Sequence, residues 1–423
     1  MKGYHFAYGS TQVELELPDS EQIVELKGHW EPSVEDIPKT LAQALEHPVH
    51  QLPLNQWLQP GDLVTLIISD MSRFWMRQDL VIPPLVDYME QRCGIRPEDL
   101  VILVANGTHE GGSREDLETL VTKDVFEKIQ VVNHDCKAPD LVRLGTTSRG
   151  TPVEINPLAM GRKVIALGAV AHHVMAGFGG GRKSILPGIS SLETVRRNHA
   201  LSLDPNAPRS NPAIGNGVLE GNPLHEDMCE AAAMVPQLYV INLIMNAEMK
   251  LSRIIAGHWL DSWLEGCEAA DAIYRTPIPR KADVIIAGCG GYPKDMSLYQ
   301  GTKTIDNVES GLKPGGTLVL LAECRDGGGP AEYFDWIGPL QRGTLDKDLR
   351  ENFTIPGYIF YLNCEQAERY RILMLTSADP NQLASMGIEA FSDIGQLMAQ
   401  VDLTGKLTYV IENGSTVIPR VSE

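Results

Sequence analysis

His172-His173-Val174-Met175-Ala176-Gly177-Phe178-Gly179-Gly180-Gly181-Arg182-Lys183-Ser184 is the stretch on which the reading of this chain turns. It follows Lys163 to Val170, an apolar run that reads as a buried parallel strand. It then passes through four glycines and delivers Arg182 and Lys183 close to the start of the next expected helix. Glycine lets backbone N–H groups turn toward a phosphate, and a helix N-terminus adds a favourable dipole. The stretch thus points to a phosphate-bearing ligand with two histidines and a lysine beside it. It is nearly a P-loop, but that motif needs Gly, four residues, then Gly-Lys-Ser/Thr. Counting from Gly177 puts Arg182 where the second glycine belongs, and His172 to Ala176 separate the loop from its strand. A glycine-rich surface turn that binds nothing is the plain alternative.

The chain has 423 residues, for which about two domains is the natural expectation, and 43% hydrophobic with 22% charged residues is ordinary globular composition. A net charge of −19 argues against nucleic acid and against an anionic membrane surface. An anionic ligand must then be held by local cations, which makes individual Arg and Lys residues near glycine loops informative. The start, MKGYHFAYGS, has no apolar leader and no run approaches 18 apolar residues, so a cytoplasmic protein without membrane association is expected. The seven cysteines have neither C-x-x-C nor metal-ligand spacing and read as reduced, mostly buried thiols.

Taken in order, Tyr4 to Ala7 and the alternating Val13 to Leu17 read as a hairpin, and Glu31 to Glu46 as a helix. Buried strands are expected at Asp62 to Ser69, Leu100 to Ala105, Lys128 to Asn133, Lys163 to Val170 and Leu238 to Met245, with helices between them. Pro277 and Pro279 mark a domain boundary, giving an N-terminal α/β domain over 1–275 and a C-terminal α/β domain over 276–423. Beyond the boundary, Ala282 to Ala287 runs into Gly288-Cys289-Gly290-Gly291-Tyr292-Pro293-Lys294-Asp295, and a helix with Tyr299, Gln300 and Lys303 follows. Strands alternating with helices predict two α/β domains with mostly parallel sheets flanked by helices. In such sheets ligands lie outside the carboxyl ends of strands, where Asp70, His109, His173 and the Gly290 loop all fall.

Each of these residues has a dull reading as well. Asp70 and Arg73 could be a turn cap and a weak exposed ion pair. His109 could bond its own loop, His199 could be an ordinary helix histidine, and Tyr299, Gln300 and Lys303 could be one helix face. If His172 and His173 are extended they point opposite ways, so only one faces a site.

In series, the residues resemble one family. Ala176 through Gly188 (AGFGGGRKSILPG) followed by Asn198-His199 is similar to the signature of the nickel-dependent lactate racemases. Asp70-x-x-Arg73, Gly107-Thr108-His109, Gly221-Asn222-Pro223 and Tyr299-Gln300-x-x-Lys303 occur in that family's order, so the resemblance spans nearly the whole chain. It implies a racemase or epimerase of a lactate-like 2-hydroxy acid, with its active site in an interdomain cleft. The implied cofactor is the nickel pincer nucleotide, pyridinium-3,5-bisthiocarboxylic acid mononucleotide carrying nickel, supplied by cofactor-making and nickel-inserting enzymes. Lys183 matches the lysine attached covalently to the cofactor, and His199 the protein ligand to nickel. His109 and His173 match the acid/base pair. Asp70, Arg73, Gly179, Gly180, Gly181, Arg182, Tyr299 and Gln300 match cofactor-side positions, and Arg73, Tyr299, Gln300 and Lys303 the substrate-side positions. Two readings remain beside this one: a phosphate- or nucleotide-binding protein using an irregular P-loop, and a non-catalytic homologue that only carries the cofactor.

Overall fold

The computed structural model describes residues 1–422. The chain divides into two compact units: one of Trp30–Ser202 with Pro212–Ile273, the other of Met1–His29, Leu203–Asn211 and the chain from Tyr274 on.

The first unit is built on six strands in the order Leu251–His258, Leu238–Met245, Lys163–Ala169, Val64–Ser69, Leu100–Ala105, Gln130–Asn133. All pairs are parallel except the antiparallel edge strand Leu251–His258. The inner strands are mostly apolar, as expected where a parallel sheet is covered on both faces, and their side chains are buried almost without exception. From Val64–Ser69 the sheet is wound one way through Leu100–Ala105 and the other way through Lys163–Ala169. The carboxyl ends of these three strands therefore flank a point where the winding reverses, which in open α/β sheets is where ligands bind.

Local chemistry explains the helix limits. Helix Ile37–Glu46 starts later than its polar-apolar pattern suggests, because Asp36 caps it through the Lys39 amide and Pro38 occupies its first turn. Ser113 and Asp116 form the expected reciprocal cap of helix Arg114–Val121. The glycine loop does not run straight into a helix as expected: Gly181–Ser184 is a single 3₁₀ turn, and the helix Leu192–His199 begins only after Ser191 caps it.

In the six-stranded sheet of the second unit all five strand pairings are parallel, in the order Ile388–Phe391, Arg371–Leu375, Leu312–Leu321, Ala282–Gly288, Thr408–Ile411, Ile23–Glu25. The N-terminal hairpin, Lys2–Tyr8 with Thr11–Leu17, is as its alternation predicts. The sequence groups it with residues up to 275, whereas its apolar face, Tyr4, Phe6, Leu15 and Leu17, packs on Val284, Ile286, Val319, Leu321, Leu373 and Val410 of this second sheet. A two-stranded hairpin cannot bury one face alone, and this sheet supplies the cover. Among the described residues no helix is long and apolar enough to cross a membrane.

Candidate active site

Each strand end of the first unit delivers one polar group. Asp70 follows Val64–Ser69, and His109 follows Leu100–Ala105. The two meet: Nδ1 of His109 lies 2.6 Å from Oδ2 of Asp70. Burial alone would raise the Asp70 carboxyl, but the hydrogen bond from His109, a second from the Ser72 hydroxyl at 2.6 Å and the positive charge of Arg73 hold it below the usual carboxylate value. Asp70 is thus an ionised acceptor. His109 must donate from Nδ1, which leaves the lone pair on Nε2 of a ring that is half exposed.

His173 follows Lys163–Ala169, and its ring is held the opposite way. Its Nδ1 accepts from the backbone N–H groups of Met175 and Ala176, at 3.1 and 3.2 Å. Its Nε2 lies 3.1 Å from Nζ of Lys183. The short strand His172–His173, paired with Gly177–Phe178, sends the neighbouring His172 to the other side. There His172 meets Asp271 at 3.0 Å and packs against Phe178. Of the adjacent pair, His173 is the one beside the lysine.

Lys183 and His109 sit on loops tied to each other through the backbone. Gly188 donates to the Lys183 carbonyl, and Gly107 donates to the Gly188 carbonyl. His199 ends helix Leu192–His199 and is almost completely buried. Its Nδ1 donates to the Val195 carbonyl at 3.0 Å, which leaves Nε2 as the lone-pair nitrogen. Burial and the nearby Lys183 charge depress its pKa to about 3, so the ring is neutral. The helix is anchored by Asn198, which donates to the Leu224 carbonyl and to Asp227; Asp227 also accepts from Thr147 and Thr151. Replacing Asp70 by Asn removes the ionised partner of His109 and frees its tautomer. Turnover is expected to fall by about a hundredfold or more with the fold retained, as read by steady-state assay beside circular dichroism.

The structure gives Arg182 a different occupation from the one its neighbours suggest. Its guanidinium is fully buried, donates to the carbonyls of Ala176 and Phe178 at 2.6 and 2.8 Å, and lies 3.8 Å from the ring centre of Trp263. Burial lowers its pKa to about 10, and its Nε donates to Nδ1 of His225, whose ring burial and the arginine charge depress to about 3. Arg182 therefore clamps the loop from inside. The glycines report the same crowding: a Cβ on Gly180 would stand 2.7 Å from the Ala169 carbonyl, and one on Gly181 would stand 2.4 Å from Trp263. Gly179 accepts from the Trp263 indole. These glycines are required by close packing as well as by any ligand.

In the second unit Tyr299, Gln300 and Lys303 lie on two short helices, Leu298–Gly301 and Lys303–Val308, where one was expected. Lys303 donates to Gln300 at 2.6 Å and stands over the Tyr299 ring, so the three form one cluster. Arg73 is half-buried at the start of its 3₁₀ turn and contacts Ser72.

A nickel site can be tested against the donors present. Among the described residues no cluster of three or more His, Cys, Asp or Glu side chains could hold a metal ion. A metal near His199 would therefore need donors brought by a ligand. One neutral, buried imidazole with its lone pair on Nε2, and a lysine nearby, suit a cofactor that carries the remaining donors itself.

The chain is similar to known proteins along most of its length. A family model described as the lactate racemase N-terminal domain matches residues 8–210, and one described as the lactate racemase C-terminal domain matches residues 278–418. A lactate racemase of Thermoanaerobacterium thermosaccharolyticum is 32% identical over 344 residues, 80% of this chain and 78% of that protein. A lactate racemase of Lactiplantibacillus plantarum is 28% identical over 299 residues, 70% and 68% of the two chains. The structure of the lactate racemase apoprotein from T. thermosaccharolyticum superposes with a TM-score of 0.86 at 28% identity, covering 99% of this chain and all of that one. A structural-genomics protein from Thermotoga maritima, 15% identical with a TM-score of 0.65 and 93% of this chain covered, shares the fold.

Proposed function

Because the chain belongs to the lactate racemase family, whose named members are isomerases, we propose that it racemises or epimerises a small, lactate-like 2-hydroxy acid. What supports this reading is the hydrogen bond between Asp70 and His109 at 2.6 Å, which leaves a lone pair on Nε2 of His109, together with His173 standing 3.1 Å from Lys183.

Inverting a 2-hydroxy acid through its 2-oxo acid requires one group to take the hydroxyl proton and another to return a proton when the opposite face is reduced. His109 presents a lone pair on Nε2 and acts as the base for one enantiomer. His173, in its imidazolium form, returns a proton when the opposite face is reduced; the roles exchange for the mirror-image substrate. Histidine is the side chain whose protonation changes most readily near neutral pH, which suits both directions. Arg73 anchors the substrate carboxylate in bidentate fashion. Lys183 would hold the nickel pincer nucleotide covalently, and His199 would be its protein ligand to nickel. When bound, that group supplies the hydride acceptor, which a protein side chain cannot. The cofactor is loaded by separate cofactor-making and nickel-inserting enzymes.

The irregular P-loop reading has less support. Arg182 is committed to loop carbonyls, and Gly180 and Gly181 are packed against the strand end and Trp263. The test is production beside the cofactor-making enzymes, followed by chiral chromatography of enantiopure L-lactate and a panel of other 2-hydroxy acids. The opposite enantiomer, or an epimer, is expected to accumulate with nickel present. A protein that carries adduct and nickel yet leaves every 2-hydroxy acid optically unchanged would sink the proposal.

A further inference from the structure

Asp70 occupies the capping position of the 3₁₀ turn Met71–Met76, yet among the described residues its carboxylate makes no cap hydrogen bond to that turn. An aspartate in that place ordinarily accepts from the first backbone N–H groups. This one accepts from His109 and from the Ser72 hydroxyl instead. Its direction must therefore be set by whatever holds the backbone on which it stands.

That backbone is held from two sides. On one, Ser69 is in register with Ala105, so the residue before Asp70 is fixed to a strand that His109 follows by four positions. On the other, Val64–Ser69 pairs with Lys163–Ala169 as far as Ile67, and beyond that a side chain takes over. Oε1 of Gln78 accepts from the Ser69 amide at 3.2 Å, and its Nε2 donates to the Ser69 carbonyl at 2.7 Å. One side-chain amide thus offers Ser69 the acceptor and the donor that a neighbouring parallel strand would offer. Gln78 is completely buried, where an amide is tolerated only with its hydrogen bonds made. The chain reaches this position through Arg77 in the left-handed region (φ 53), an uncommon conformation outside glycine, with the guanidinium held by Asp79 at 2.9 and 2.8 Å. Phe74 and Trp75 pack on the core and Met76 is buried in it, which fixes the far side of the same loop.

We propose that Gln78 is a positioning residue for the acid/base chemistry. By holding the backbone of Ser69 it keeps Asp70 in register with His109, and so decides which ring nitrogen of His109 carries the proton. It acts through the backbone and not on the reacting atoms. The consequence for turnover rests on the racemase reading, whereas the consequence for the His109 ring does not.

The full chain, as purified and isotope-labelled in its histidine rings, is read by proton–nitrogen correlation NMR above the ordinary histidine pKa, with His109→Gln identifying the signal. The wild-type His109 ring is expected to carry its proton on Nδ1. Gln78→Met, similar in length but without the amide, should move that ring toward the Nε2-protonated form while circular dichroism stays unchanged. In protein produced beside the cofactor-making enzymes, the same variant should keep the Lys183 adduct and lose about tenfold or more in kcat, as misplaced catalytic groups do. A wild-type ring protonated on Nε2 overturns the assignment. A folded Gln78→Met protein with the wild-type ring form, or with the wild-type kcat, overturns it as well. Should Gln78→Met not fold, Gln78→Glu, which keeps the length and the acceptor but loses the donor when ionised, is read in the same way. If the loaded wild type turns over no 2-hydroxy acid, the racemase reading fails alone, and the ring form still decides the role of Gln78.

Discussion

Lys183→Ala protein, produced beside the cofactor-making enzymes, is expected to carry no nucleotide-sized adduct and to turn over no 2-hydroxy acid. His173→Ala is the paired control: it should keep the adduct and lose racemisation by roughly a hundred- to ten-thousandfold, the usual worth of a positioned acid/base group. Both directions of the reaction should fall together, since each turnover uses both histidines. Intact mass separates attachment from turnover, and chiral chromatography reads the turnover. The pair matters because His173 and Lys183 are only 3.1 Å apart, so loss of activity in either variant alone would not say which job was lost. If Lys183→Ala remained fully active, the covalent role would be wrong; if His173→Ala lost the adduct as well, its part would be in attachment.

The second large effect concerns stability. Arg182→Ala would leave the carbonyls of Ala176 and Phe178 buried without their donor and would strip the cation from the face of Trp263. A buried orphaned acceptor costs about 1–3 kcal/mol, so the two together with lost packing put the expected destabilisation at roughly 3–5 kcal/mol. Arg182→Lys should recover little, because an ammonium cannot span two carbonyls and stack at once. The first unfolding transition in urea, followed by tryptophan fluorescence, measures this. Arg182→Ala unfolding at the wild-type urea concentration would contradict the clamp.

Legibility from sequence divides along physical lines. The buried strands were plain because continuous apolar runs ending in turn residues have few other uses. Leu100–Ala105 and Leu238–Met245 agree to the residue, and the Ser113 cap was visible in its spacing. The directions of His172 and His173 followed from strand alternation. The Asp70–His109 hydrogen bond was not legible as a contact: both residues could be placed at neighbouring strand ends, but not in register with each other. Arg182 misled because a cation after glycines looks the same whether it faces a phosphate or its own loop, and only Trp263, 81 positions on in the sequence, decides between them. The hairpin at the start was recognised, whereas its destination lay in a sheet made mostly from the last third of the chain.

That destination bears on how the protein is made. Strand Ile23–Glu25 finds its partner in Thr408–Val410, and the hairpin before it is covered by strands that leave the ribosome late. The first unit has all its strands by His258 and can close during synthesis. The N-terminal residues must instead wait, their apolar face uncovered, until the strands up to Thr408–Ile411 have been made. Pairing across so long a stretch is slow to form. A chain cut short before Thr408–Ile411 would thus leave Ile23–Glu25 unpaired, and protease cleavage of such a product should begin near that strand.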